Sequence, residues 1–237
     1  MDLSDKVAIV TGAGRGIGKA IALALARAGA DVVAAARTQQ EIDATAAEIA
    51  GIGRRSLAMA ADISVDSDVA ELMGKTAAQF SRIDILINNA GIGSFANVTE
   101  LPVGVFDRMW QVNMRGVFLC TRAALPHMIR QRSGDILNIA SLAGRNAFIG
   151  GSGYCATKWA LIGFARCLML EVREHNIRVM TLCPGSVETS FGDDASSKSS
   201  TSIPKAEDIA QVAIDTILMP RNVMVSEVDI RPTNPKK

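Results

Sequence analysis

Short apolar runs alternate along this chain with longer segments in which apolar positions recur every three or four residues. The runs Val7 to Val10, Val32 to Ala35, Leu57 to Ala60, Ile83 to Ile87, Ile136 to Ile139, Val179 to Cys183 and Val223 to Val228 predict seven strands. Between them, Gly16 to Ala28, Gln39 to Ile49, Val65 to Phe80, Pro102 to Arg130, Tyr154 to Glu174 and Glu207 to Met219 carry the helical period and predict six helices. Strand runs without a polar face belong in a sheet covered on both sides, and the alternation of strand with helix makes that sheet parallel. The expected fold is α/β, a doubly wound seven-stranded parallel sheet with helices on both faces. At 237 residues it is expected to be a single domain, 1–237, without repeat or linker. The Ser-rich stretch Asp193 to Ser202 has no apolar period and reads as a mobile surface loop.

Charge narrows the choice of partner. Lys and Arg number 25 against 24 Asp and Glu, so bulk charge points to neither nucleic acid nor an anionic membrane surface. The polar N-terminus lacks the pattern of a secretory signal, and the longest apolar runs are too short to span a bilayer. A cytoplasmic location is expected. Cysteines 120, 155, 167 and 183 show no Cys-x-x-Cys spacing, and only His127 and His175 are present to assist them. They read as reduced structural thiols, with no metal site.

Directly after the first strand stands Thr11-Gly12-Ala13-Gly14-Arg15-Gly16-Ile17-Gly18, followed by an alanine-rich helical run. Glycines let a backbone turn sharply against a pyrophosphate, and the following helix offers unsatisfied N–H groups and a favourable dipole. The pattern is T-G-x-x-x-G-x-G, with Ile17 where the G-x-G-x-x-G fingerprint has its last glycine. The second strand ends in Ala36-Arg37, where an acidic residue would bind the ribose hydroxyls of NAD. A guanidinium there suits a 2′-phosphate instead, and Arg15 offers a second positive group. NADP is expected, and NAD is disfavoured.

Tyr154, the single tyrosine, stands four residues before Lys158. On a helix this spacing puts both side chains on one face. A nearby ammonium is expected to lower the phenol pKa and make Tyr154 a proton donor at neutral pH.

With these motifs the sequence resembles the classical short-chain dehydrogenase/reductase family, and most closely its 3-oxoacyl-carrier-protein reductase-like carbonyl reductases. The resemblance also takes in Asn88-Asn89-Ala90-Gly91, Asp62-Ile63, Gln111-Val112-Asn113, Ser141 and Pro184-Gly185, and runs from Leu3 to about Pro232. It implies a Rossmann-like fold and a catalytic set of Ser141, Tyr154, Lys158 and Asn113. It further implies a cofactor site made from Gly12, Gly14, Arg15, Gly16, Ile17, Arg37, Asp62, Ile63, Asn89, Ala90, Gly91, Tyr154, Lys158, Pro184, Gly185, Val187 and Thr189. In that scheme Ser141 polarises a substrate carbonyl. Lys158 holds the nicotinamide ribose, Asn113 anchors a proton-relay water, and Thr189 meets the nicotinamide carboxamide. Thr157 reads as a packing residue, and Met109 and Trp110 as core or subunit interface.

The implied reaction is hydride transfer between NADPH and a small-molecule or carrier-borne carbonyl, a 3-oxoacyl thioester or similar ketone. The chain ends Glu227-Val228-Asp229-Ile230-Arg231-Pro232 where many members carry Asp-Gly-Gly. That departure keeps a small hydroxy-acid (serine-type) or general carbonyl dehydrogenase open. A non-catalytic cofactor sensor is the reading from another class. Arg145 is either a solvated loop residue or a binder of a substrate anion. By resemblance, a homotetramer or homodimer is expected, assembled in part through apolar residues of the long helices: Phe106, Met109, Phe118, Phe164, Leu168 and Leu170.

Overall fold

All seven strands lie parallel in one sheet of order β3-β2-β1-β4-β5-β6-β7, in a computed structural model that describes residues 2–189, 191 and 203–233. The strands are β1 (Val7–Thr11), β2 (Asp31–Ala36), β3 (Ser56–Ala60), β4 (Ile85–Asn88), β5 (Gly134–Ile139), β6 (Ile177–Pro184) and β7 (Glu227–Ile230). The helices are α1 (Gly16–Arg27), α2 (Gln39–Gly51), α3 (Asp66–Phe80), α4 (Val103–Trp110), α5 (Val117–Gln131), α6 (Ser152–Val172) and α7 (Ala206–Leu218). Strand order reverses between β1 and β4, which opens a crevice above their carboxyl ends. The Ser-rich stretch Asp193 to Ser202 lies outside the described residues.

Alternate residues of each central strand feed two apolar clusters, one on each face. Ala8, Val10, Val32, Ala34, Ile85 and Ile87 pack under α1 and α7 with Ile21, Leu25, Ile209 and Ala213. Val7, Ile9, Val33 and Leu86 face Leu72, Cys120, Met128 and Leu168 of α3, α5 and α6. Burial on both faces explains why the strands read as continuous apolar runs.

Two expectations are corrected. The segment Pro102 to Arg130 is not one regular helix: Gln111–Gly116 forms a π-helical turn between α4 and α5. The last strand is Glu227–Ile230, beyond most of the apolar run Val223 to Val228. Val223 N–H instead donates to the Pro220 carbonyl, closing a turn that consumes the run's start, and pairing begins only at Thr181 opposite Glu227.

At the amino end of the sheet, three buried aspartates are each clamped by basic side chains. Asp31 meets Arg54 and Arg55, Asp84 meets Arg82 and Lys6, and Asp135 meets Arg178 and Arg221. A buried carboxylate is tolerated only when paired and hydrogen-bonded, and these pairs meet that condition. The opposite, carboxyl end is thereby left to the cleft.

Candidate active site

A cleft of about 1710 Å³ runs across the carboxyl ends of the strands. Its wall includes Gly12, Gly14, Arg15, Gly16, Ile17, Arg37, Asp62, Ile63, Asn89, Ala90, Gly91, Ser141, Tyr154, Lys158, Pro184, Gly185, Val187 and Thr189. Asn113 lies beneath the wall, 1 % exposed, and reaches the cleft only through its neighbours.

The glycine turn is shaped by contacts no other residue allows. Gly12 (φ +66°) and Gly16 (φ +55°) are left-handed, and a Cβ on Gly12 would lie 2.8 Å from Asn89 Nδ2. A Cβ on Gly18 would collide with the Gly12 carbonyl. Asn89 fastens this turn to β4, its Nδ2 donating to the carbonyls of Thr11 (2.9 Å) and Gly12 (3.2 Å). Thr11 Oγ1 donates to the Ile87 carbonyl and accepts from the N–H groups of Asn89 and Ala90. Thr11 is thus a positioning residue that the sequence reading passed over, although it opens the motif.

Helix α1 starts with no side-chain cap and no acidic residue in its first turn. Its leading N–H groups therefore face the cleft without a side-chain acceptor, an arrangement that fits an anionic pyrophosphate. Arg15 and Arg37 flank the same region, and among the described residues neither forms a salt bridge. Glu41, not anticipated, also lines the cleft, with its carboxylate packed against Gly14. Asp62 is held from two sides: Oδ1 accepts from Ser64 N–H and Oγ–H, and Oδ2 meets Arg108 Nη2 at 2.5 Å. These hydrogen bonds outweigh the opposing effect of burial and lower its pKa.

Tyr154 and Lys158 both lie on α6 and are 7 % and 5 % exposed. The Lys158 ammonium donates to the Ile139 carbonyl at 3.0 Å and stands 5.7 Å from the Tyr154 ring centre. Burial pushes the phenol up to about 12, while a hydrogen bond with the Ser141 hydroxyl pulls the other way and the Cys155 thiol adds to the rise. The expected lowering by Lys158 is therefore overturned: removal from water dominates and keeps Tyr154 protonated at neutral pH. The same burial lowers Lys158 to about 8. Ser141 Oγ accepts from Ala143 N–H at 3.0 Å, which leaves its own proton free to donate.

Thr157 is more than a packing residue. Its Oγ1 donates to the Tyr154 carbonyl at 2.8 Å and accepts from Asn113 Nδ2 at 3.0 Å. Asn113 also exchanges both amide groups with the backbone of Ile92, at 2.9 Å each. Its position in the π-helical turn between α4 and α5 aims it at α6. Arg145 is neither solvated nor free for an anion, because it pairs with Glu227 and Asp229 of β7. Met109 is fully buried, whereas Trp110 lines a separate apolar depression with Met114, Phe118 and Phe164.

Sequence comparison agrees with this architecture. The family model for short chain dehydrogenases matches residues 6–200. An uncharacterised oxidoreductase of Staphylococcus aureus is 34% identical over 97% of this chain and 98% of its own. A sepiapterin reductase of Chlorobaculum tepidum is 33% identical over 96% of each. Among solved structures, an alcohol dehydrogenase from the archaeon Thermococcus sibiricus, complexed with 5-hydroxy-NADP, superposes with TM-score 0.90 at 32% identity, covering 98% and 99% of the two chains. A 3-ketoacyl-ACP reductase from Sinorhizobium meliloti 1021 superposes with TM-score 0.87 at 32% identity, covering 94% and 96%. The chain belongs to the short-chain dehydrogenase/reductase family. It is an oxidoreductase acting between alcohol and carbonyl, and the cofactor-sensor reading falls away.

Proposed function

We propose that this enzyme is an NADPH-dependent carbonyl reductase acting on a 3-oxoacyl thioester or similar ketone, free or carrier-borne. The observation that carries this reading is the meeting of Ser141, Tyr154 and Lys158 in the cleft that also holds the uncapped start of α1. Arg15 and Arg37 support a 2′-phosphate, and the Thermococcus sibiricus relative holds an NADP derivative. When bound, NADPH supplies a hydride to the carbonyl carbon.

The protein's own groups handle the oxygen. Ser141 Oγ–H donates to the carbonyl oxygen and fixes its position, and Tyr154 Oη–H gives its proton as negative charge develops there. Lys158 holds the ribose and places a positive charge beneath the phenol. Asn113 holds the loop at Ile92 and, through Thr157, the first turns of α6 in register.

A second reading is a general reductase of small carbonyls. The sepiapterin reductase relative favours it, as does the departure from Asp-Gly-Gly at the C-terminus. The small hydroxy-acid version loses support, because Arg145 is held by two carboxylates. We further propose a single cytoplasmic domain assembled as a homotetramer or homodimer. No helix among the described residues is long and apolar enough to cross a membrane. Phe118, Trp159 and Leu170 lie exposed on α5 and α6, as an interface there would require.

The test is steady-state oxidation of NADPH and NADH with acetoacetyl thioester, 2,3-butanedione and simple aldehydes. Preference for NADPH by roughly tenfold or more is expected, since charge-assisted contacts to the 2′-phosphate are each worth about 1.5–3 kcal/mol. Arg37→Ala should erase most of it. Equal use of both cofactors would overturn the assigned roles of Arg15 and Arg37, and turnover of the dione without the thioester would select the second reading.

A further inference from the structure

Three phenylalanines cluster beside the Tyr154 ring, two of them packed against it. Phe95 meets it edge-on with centroids 5.5 Å apart, Phe191 stands at 5.8 Å, and Phe148 packs on Phe95 at 5.7 Å. All three line the cleft, yet each keeps more than 40 % of its surface exposed (49 %, 43 % and 48 %). They come from three separate segments, so their meeting owes nothing to a local sequence pattern.

The rings are seated, not adrift. A Cβ on Gly151 would lie 2.7 Å from the Phe148 ring, and one on Gly93 would lie 2.9 Å from Phe191 and 3.3 Å from Phe95. Ala96 N–H donates to the Gly150 carbonyl at 2.9 Å, tying the segment that bears Phe95 to the one that bears Phe148. Two glycines clear the space and one backbone bond locks the pair.

Charge is distributed unevenly along the cleft. Arg15, Arg37, Glu41, Asp62 and Arg108 all lie toward the glycine turn and the end of β3. Among the described residues, Ile92, Leu142, Ala143, Asn146 and Ala147 add uncharged wall to the cleft, which Lys158, Glu188 and Arg231 also line. Arg145 pairs with Glu227 and Asp229, and Arg231 pairs with Asp229, while Lys158 donates to the Ile139 carbonyl and keeps its charge. Among the described residues, a carboxylate or phosphate entering here would meet Glu188 on the same wall and would have to share the Lys158 ammonium with the ribose, so the loss of its water would be poorly offset.

Resting on the proposed role of Tyr154 as proton donor, we infer that Phe95, Phe148 and Phe191 form a specificity box for an uncharged carbonyl compound bearing a flat aromatic group next to the reacting carbon. With the carbonyl oxygen at the phenol, its substituent lies among the three rings. A flat ring can stack or meet them edge-on, while a methyl group fills little of the space. A fatty 3-oxoacyl chain has no such geometric match, so the inference selects aryl ketones within the broader class.

The experiment compares 1-phenyl-1,2-propanedione, 2,3-butanedione and pyruvate at fixed NADPH, with wild type, Phe148→Ala and Phe95→Leu. The expected kcat/KM for the phenyl dione exceeds that for butanedione by about tenfold or more, the effect of roughly 1.4 kcal/mol of ring contact. Pyruvate falls lower still. In both variants the phenyl-to-methyl ratio drops toward one, and thermal unfolding midpoints check that the fold is intact. Equal turnover of the two diones by wild type, or an unchanged ratio in both variants, overturns the box and leaves the carbonyl-reductase reading standing. Failure to oxidise NADPH with any of the three, while acetoacetyl thioester is turned over, also overturns it. No turnover with any carbonyl removes the underlying reading as well.

Discussion

Asn113 Nδ2 donates to Thr157 Oγ1 at 3.0 Å, joining the π-helical turn between α4 and α5 to the helix that carries Tyr154 and Lys158. Because the Thr157 hydroxyl also donates to the Tyr154 carbonyl, one buried oxygen couples the two segments. Thr157→Val keeps the shape and removes that oxygen. The loss is expected to be about 1–3 kcal/mol, the usual cost of a buried donor left short of a partner. It should lower kcat more than it raises KM, and Thr157→Ser should recover both. A valine variant with wild-type kcat would show that the bond is structural alone.

Tyr154→Phe removes the phenolic proton while preserving the ring contacts with Phe95 and Phe191. A positioned proton donor typically contributes 10²–10⁴-fold, so a loss of about that size in kcat is expected. Cofactor affinity, followed by fluorescence titration, should stay within a few fold. Substantial residual turnover would move the proton-donor role to another group.

The buried Lys158 gives stability a definite pH dependence. Its pKa is about 8 in the folded protein against an ordinary 10.5, so between those values the unfolded chain holds more protons. Stability contributed by this residue therefore rises with pH through that window. Below about pH 8 both states are charged, and loss of hydration weighs against folding. Tyr154 acts in the opposite sense above about pH 10, since its proton leaves the unfolded chain first and the folded phenol titrates near 12. Urea unfolding of wild type and Lys158→Met, which share that tyrosine, isolates the lysine. Wild type should gain on the variant from pH 8 to 10, and a constant difference would refute the depressed pKa.

Arg178 tests the other end of the sheet. It donates to Asp135 at 2.7 Å and to the carbonyls of Ile217, Met219 and Val223. Arg178→Met strands a buried carboxylate on one remaining arginine, and a loss of roughly 3–5 kcal/mol is expected. The variant's kcat, measured below its unfolding temperature, should change little, because the clamp lies at the end of the sheet away from the cleft.

Much of this was legible in the chain. The five inner strands could be read because two-sided burial leaves continuous apolar runs, and the glycine turn because Gly12 and Gly18 have no substitute at their contacts. What escaped depended on distant partners. Arg145 is captured by Glu227 and Asp229 on β7, far along the chain, and no local pattern announces that. Thr157 looked like packing because a helix-interior threonine usually is, and its partner Asn113 is aimed by a π turn that leaves no mark in the apolar period. The phenol pKa was misjudged because spacing reports a neighbouring lysine but not the exclusion of water. The three phenylalanines, isolated in separate segments, carried no period at all.

The wide turn at Gln111–Gly116 has a further consequence for how this helix can change. A π turn accommodates one more residue than the regular helix, and each residue advances the spiral by about 100°. That extra residue is taken up within the turn instead of rotating α5 against α4, so both Met109 and Cys120 stay buried. Deleting a single residue there would let the helix run straight with that phase kept, but it would remove the widened turn from which Asn113 reaches Ile92 and Thr157. The segment behaves like an expansion joint: the core is expected to accept either length, whereas the cleft needs the longer one.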